Sequence, residues 1–331
     1  MEAWYEPDKT SAFVGNFESK EAFAEKQVVR GHFHASVPED IVKSYKTVEY
    51  LMAHAWYHWP MFDEALRKLL GMVEMAVKQR SEALEIDLAY EYTDKGGKQK
   101  IGKKNFYRLI EDLSGKEPKK ELKNWLHDVR WLRNFFSHPE GDTLMGGMVI
   151  GKIKNIVNLV NLIFLDEADC IAAKAEKARF ETNYAGFREG MFVLESDQAS
   201  FLITGTRLLE VFQIKEDWLY ICQFDLVLLN LYDNFSNQRF PPPMVLALKQ
   251  VDTHDGVFEA IDIKTGSGIK VYPTEKPEHQ QAIGQHRQEW NKLEEVNQSI
   301  YMAFAHQECG GKVRDFMYEH RWSTSQPLSS I

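Results

Sequence analysis

The residues best suited to chemistry are an arginine and a histidine close together in the chain, Arg133 and His138. Histidine exchanges a proton near neutral pH, and arginine stays charged and binds phosphate through several donors. Together they supply a base for the ribose 2′-hydroxyl and a cation for the phosphate, which is what RNA cleavage needs without a metal ion. Asn134 lies one helical turn before His138, where it can orient the imidazole or bond a phosphate oxygen. Arg133, Asn134 and His138 are the predicted catalytic residues.

A purely structural role for these side chains is the alternative. His138 precedes Pro139 and can cap the end of a helix, where a cation favours the last carbonyls. Arg133 can pair with Asp128 or Glu140 in its own neighbourhood. On this alternative the pair stabilises the fold and carries out no reaction.

Metal and disulfide chemistry are not indicated. The cysteines, Cys170, Cys222 and Cys309, are odd in number and widely spaced, without a CxxC pair. This pattern argues against a zinc site and a disulfide framework and favours a reducing compartment such as the cytoplasm. His54 and His58 have a metal-binding spacing but no zinc-protease glutamate, so a packed or partly exposed helix face is favoured. We expect no metal and no cofactor.

Apolar spacing predicts the helices that position the motif. Helices are expected over residues 41–58, 61–84, 105–113, 119–137 and 144–179. The motif lies at the end of the fourth helix, whose predicted core face is Leu122, Trp125, Leu126, Val129, Leu132 and Phe136. A second stripe on that helix, formed by His127, Trp131, Asn134 and His138, indicates contact with something besides its own core. Residues 85–104 break the pattern and predict a short hairpin or a flexible loop.

The segment Arg133-Asn134-Phe135-Phe136-Ser137-His138 resembles the RxxxxH motif of HEPN domains, including the polar residue after the arginine that active members usually carry. The resemblance covers about Ile41 to Arg179, and residues 85–104 are longer than the simplest family pattern. It implies a helical bundle that dimerises with two motif helices face to face. It further implies a metal-independent endoribonuclease that leaves a 2′,3′-cyclic phosphate, with His138 as base and Arg133 on the phosphate. Such proteins often act as toxins or in defence against phage.

The formal net charge of −9 disfavours binding a polyanion through overall charge, so RNA would need a local basic surface. Basic residues cluster at 95–104 and 116–123. We predict RNA contacts at Lys103, Lys104 and Arg130, with a solvated surface as the alternative.

The second half of the chain changes to short β-like runs within residues 186–273, which predict a small barrel or compact sheet. The chain is therefore expected to be α+β. It would comprise an arm over 1–40, a HEPN-like helical domain over 41–180, a β-rich domain over 186–273 and a helical segment over 277–322. The β-rich domain would bind a trigger, a protein partner or the substrate. Neither a signal peptide nor a membrane span is expected. A second functional hypothesis is a non-catalytic dimeric scaffold or adaptor that binds a protein partner.

Overall fold

The computed structural model describes residues 6–10, 16–116, 119–137, 146–237 and 239–322. Helices and strands are both abundant, which agrees with the predicted α+β class. The chain divides into two compact units. Unit 1 comprises Met1–Cys170 and Trp322–Ile331, and unit 2 comprises Ile171–Arg321.

Unit 1 is built mainly from helices. They are α1 (Lys20–Gln27), α2 (Glu39–His54), α3 (Met61–Ala83), α4 (Phe106–Ser114), α5 (Lys123–Ser137) and α6 (Gly146–Phe164), with a 3₁₀ turn at Lys119–Leu122. Pro38 and Pro60 directly precede α2 and α3, and acids occupy the first turn of each. The central helix is α3, which packs against α2, α4, α5 and α6. Its fully buried Leu66 and Leu69 each contribute about 2 kcal/mol of hydrophobic stabilisation.

The interrupted segment of unit 1 forms a hairpin, which is one of the two predicted alternatives. Strand β1 (Ala89–Thr93) pairs antiparallel with β2 (Gln99–Lys103). The Asp94 carboxylate accepts hydrogen bonds from the turn N–H groups of Gly96 and Lys98. Its ion pair with Lys100 and these turn bonds hold the pKa of Asp94 below its ordinary value.

The prediction of one helix over 144–179 is wrong, because the chain forms α6 and a separate helix α7 (Glu167–Asn183). The buried Lys119 ammonium explains the end of α6. It donates to the carbonyls of Leu162 at 2.9 Å and Leu165 at 2.7 Å, which have no partner within a terminating helix. Glu167 and Asp169 then lie in the first turn of α7, where negative charge is favourable.

Unit 2 contains a closed antiparallel barrel, so the barrel form of the β-rich prediction is confirmed. Its strands are β3 (Phe192–Ser196), β4 (Ser200–Ile214), β5 (Asp217–Leu226), β6 (Met244–His254), β7 (Val257–Asp262) and β8 (Gly268–Pro273), and β3 pairs with β8 to close it. Strand β4 runs without interruption through Gly205. Gly205 is required there, because an added Cβ would lie 2.1 Å from the Arg188 carbonyl oxygen.

Helices complete unit 2 around the barrel. They are the C-terminal part of α7, α8 (Leu231–Ser236), α9 (Pro277–Lys292) and α10 (Glu295–Phe316), followed by a π-helical turn over Met317–Arg321. The buried Glu176 of α7 accepts hydrogen bonds from the hydroxyl of Tyr220 on β5 and, at 2.6 and 2.8 Å, from Arg179. These bonds tie α7 to the barrel wall. Within the described ranges, no helix is long and apolar enough to cross a membrane.

Candidate active site

Helix α5 carries two of the three predicted catalytic residues, Arg133 and Asn134. Leu126, Val129 and Phe136 are buried, as the apolar spacing predicts. Because 3.6 residues make one helical turn, this buried face holds the other side of the helix towards solvent. Asn134 lies on that exposed side, close to the end of the helix at Ser137. Arg133 follows Leu126 and Val129 at helical spacing, so it lies at the edge of the packed side, where it reaches α3.

Arg133 is held by a carboxylate from another helix. Its Nη2 lies 2.7 Å from Oε2 of Glu74 on α3, with 39% of the arginine side chain exposed. The other Glu74 oxygen pairs with Lys78 at 2.8 Å. An arginine has five N–H donors in a planar fork, and this contact engages one of its nitrogens. Glu74 therefore fixes the guanidinium while leaving part of it towards solvent.

The partner that the structure shows for Arg133 is Glu74, which local spacing did not offer. Asp128 does not fill this role, and Glu140 lies outside the described residues. Glu74 precedes Lys78 by one helical turn, a spacing that indicates a pair within α3. Nothing in local spacing predicts an ion pair between two helices, so this residue was missed.

Asn134 is exposed, and in the chain it lies between two exposed aromatic residues of the same helix, Trp131 and Phe135. Trp131 has 65% of its surface accessible, and its ring stacks on Phe135 with centroids 5.8 Å apart and an interplanar angle of 19°. Exposed aromatic pairs of this kind are suited to contact with another molecule. The predicted second stripe is thus open at Trp131 and Asn134.

His138, the predicted base, lies outside the described residues, so its position relative to Arg133 stays a prediction.

His127, the first residue of the predicted stripe, contacts α4 instead of facing solvent freely. Its Nε2 lies 2.8 Å from Oε1 of Glu111, and Lys123 lies 2.8 Å from the other oxygen of that carboxylate. Hydrogen bonds from Lys123 and His127 lower the pKa of Glu111. This cluster joins α4 to α5. It gives a structural role to His127 of the stripe and to Lys123 of the basic segment.

The predicted RNA contacts have different surroundings. Lys103 is exposed on β2, whereas the Lys104 side chain is largely buried and pairs with Asp112 at 2.8 Å. The guanidinium of Arg130 lies 5.3 Å from the centroid of the exposed Tyr107 ring. Lys103 and Arg130 therefore remain accessible candidates, and Lys104 has a structural partner.

His54 follows the expectation of a packed helix face. Its ring stacks on Tyr50 at 4.0 Å between centroids, and its Nδ1 lies 2.9 Å from the Tyr50 carbonyl oxygen. Across the part of the chain that the structure describes, no group of histidine, cysteine and acidic side chains is arranged to hold a metal ion.

Comparisons of this chain with protein-family models, with curated proteins and with solved structures found no match.

Proposed function

We propose that this protein is a metal-independent endoribonuclease of the HEPN type, in which unit 1 is the HEPN-like helical bundle. The observation that carries the proposal is the half-exposed Arg133 near the end of α5, oriented by Glu74 and five positions before His138. A fixed guanidinium can stabilise the charge that develops on a phosphate in the transition state.

In this mechanism His138 removes the proton from the ribose 2′-hydroxyl, and the resulting oxygen attacks the adjacent phosphorus. The bond to the 5′-oxygen of the next nucleotide breaks, and that oxygen takes a proton from water, which leaves a 2′,3′-cyclic phosphate on one product and a 5′-hydroxyl on the other. Arg133 binds the phosphate oxygens during this step. Asn134, exposed beside it, orients the imidazole or bonds a phosphate oxygen. A homodimer would bring two such helices to one composite site, and toxin or anti-phage roles follow from the same resemblance.

Variants at Arg133 and His138 test the proposal. Total tRNA and a generic RNA are incubated in EDTA with wild type, Arg133→Ala, His138→Ala and Lys78→Ala. Loss of Arg133 should slow cleavage about 100- to 1,000-fold, since removing one charge-stabilising donor typically has that effect. Lys78→Ala is the matched control, because Lys78 pairs with the same Glu74 carboxylate. Equal cleavage by all four proteins would refute the assignment.

A non-catalytic scaffold or adaptor is the second candidate function. The stacked, exposed Trp131 and Phe135 favour it, because such a surface also suits a protein partner or a second copy. In that case Glu74 and Arg133 form a structural ion pair. Light scattering on wild type and Trp131→Ala separates the two functions when read beside the cleavage assay. A Trp131-dependent dimer without RNA cleavage supports the scaffold.

A further inference from the structure

Unit 2 contains a cavity of about 1020 Å³ to which no function has been assigned so far. Its walls come from β4, β5, β7, the prolines before β6, and helices α7, α8, α9 and α10. Pockets that bind small molecules usually measure about 300–1,000 Å³. The cavity therefore has room for an organic ligand of substantial size.

Aromatic side chains form much of the cavity wall. Phe224 and Phe258 are buried, and Trp290 and Tyr301 are partly buried with ring centroids 5.8 Å apart. Burial raises the pKa of Tyr301, so its phenol stays neutral at physiological pH. Walls of this composition favour a ligand with a flat aromatic ring.

One carboxylate of the cavity wall, that of Asp225, has hydrogen-bond partners within the wall itself. Asp225 accepts from Arg207 at 2.9 Å and from Gln223 at 2.8 Å. The amide oxygen of Gln223 in turn accepts from the Cys309 thiol at 3.2 Å. This network fixes the side chains of β4 and β5 and pairs the Asp225 carboxylate.

One buried polar group at the cavity is different. Thr206 is only 5% exposed and lines the cavity, and its hydroxyl has no hydrogen-bond partner among the residues that the structure describes. Buried hydroxyls in folded proteins nearly always have a partner, and each exception calls for an explanation. A ligand that bonds this hydroxyl supplies the partner.

Charges around the cavity balance. Of the described lining residues, the arginines and carboxylates are Arg188, Arg207 and Arg287 against Glu181, Glu189 and Asp225. Balanced charge offers little attraction to a polyanion. The wall is thus better suited to an uncharged ligand than to a nucleoside triphosphate.

We propose that this cavity binds a neutral, planar heteroaromatic molecule, the chemical class that includes nucleosides and flavins. The ring lies against the aromatic walls, and a polar atom at its edge bonds the Thr206 hydroxyl. This inference concerns unit 2 and is independent of the ribonuclease proposal. Its readout is binding without RNA, so either proposal can fail while the other stands.

Titration calorimetry on the full chain tests the inference with adenosine, guanosine, cytidine, uridine and riboflavin, and with inorganic pyrophosphate as an anionic probe. At least one heteroaromatic probe should bind saturably with one site per chain, and pyrophosphate should not. Thr206→Val keeps the side-chain shape and should weaken that binding about tenfold through loss of one hydrogen bond. Thr253→Val, on β6 and away from the cavity, should leave it unchanged.

A second pair of variants tests the cavity by filling it. Ala305 lines the cavity on α10, whereas Ala303 on the same helix is exposed and does not. Ala305→Trp should abolish binding, and Ala303→Trp should retain it. The proposal is overturned by absence of binding for all five heteroaromatic probes, by pyrophosphate binding as tightly as they do, or by an affinity that Thr206→Val leaves unchanged.

Discussion

Arg133 in unit 1 and Glu176 in unit 2 are both charged and both paired, but their surroundings differ. Arg133 is half exposed and receives one carboxylate contact from Glu74. Glu176 is buried and bonded to both Arg179 and Tyr220. The two oxygens of Glu176 already have their partners, whereas among the described residues the guanidinium of Arg133 contacts one carboxylate and keeps donors for a further partner. An ion pair alone therefore does not identify a structural residue. A paired side chain can still bind a substrate through those hydrogen-bond donors that its ion pair does not use.

The strongest expected effect on stability is at Gly205 in the barrel. Gly205→Ala places a Cβ against the Arg188 carbonyl oxygen, so the backbone must shift, at a cost of about 3 kcal/mol in the free energy of unfolding. Gly268→Ala is the control, since nothing lies within 4 Å of its added Cβ. Hydrogen exchange should show lost protection in β4 and β5 with unit 1 unchanged. An equal loss of hydrogen-exchange protection in both units would contradict this expectation, because the two units would then unfold together.

Unit 1 also contains a buried, paired cation, Lys119, whereas Arg133 in the same unit is partly exposed. Lys119→Met removes two charge-assisted hydrogen bonds to the carbonyl groups at the end of α6 and should destabilise the fold by about 2 kcal/mol. Lys120→Met, at its exposed neighbour, should change stability by less than about 0.5 kcal/mol. Chemical denaturation measures both. Similar free energies of unfolding for the two variants would mean that the hydrogen bonds of Lys119 do not stabilise the fold.

The smallest expected effect is the pH dependence of Glu176. The hydrogen bond from Arg179 lowers the pKa of this carboxyl. A lowered pKa means that the carboxylate stabilises the fold above its unfolded pKa of about 4.3, and that this stability is lost as the pH falls through the folded value.

Glu176→Gln should therefore cost about 1 kcal/mol at neutral pH and flatten the stability profile below about pH 4. Glu181→Gln, exposed on the same helix, is the control. Calorimetric unfolding at several pH values measures both profiles. If Glu176→Gln keeps the wild-type acid sensitivity, another carboxyl group is responsible for it.

Local patterns predicted α5 and offered the hairpin as one of two alternatives, because apolar spacing and turn residues act over a few positions. They predicted the buried Leu126, Val129 and Phe136 for the same reason. The prediction of one long helix was wrong. The Lys119 ammonium that bonds the last carbonyl groups of α6 comes from a turn distant in the chain, so local spacing does not show it. Charge patterning placed Lys119 on a solvated surface, since it cannot show which carbonyl groups need a partner.

Residues that meet through long-range contacts escaped prediction in both units. Glu74 reaches Arg133 from another helix, and Asp225 meets Cys309 through a network across the barrel wall. The register of β4 and β5 brings such groups together, and no short spacing encodes it. The motif residues were found because one helix carries Arg133 and Asn134, with His138 just beyond its described end.

The chemical nature of the cut RNA end tests the central claim most directly. An end-labelled RNA is cleaved in EDTA by wild type and by His138→Ala, and the 3′ ends are identified by mass spectrometry. We expect 2′,3′-cyclic phosphate ends from wild type and no cleavage by the variant. Ends carrying a 3′-hydroxyl, or cyclic phosphate formed equally by His138→Ala, would contradict it.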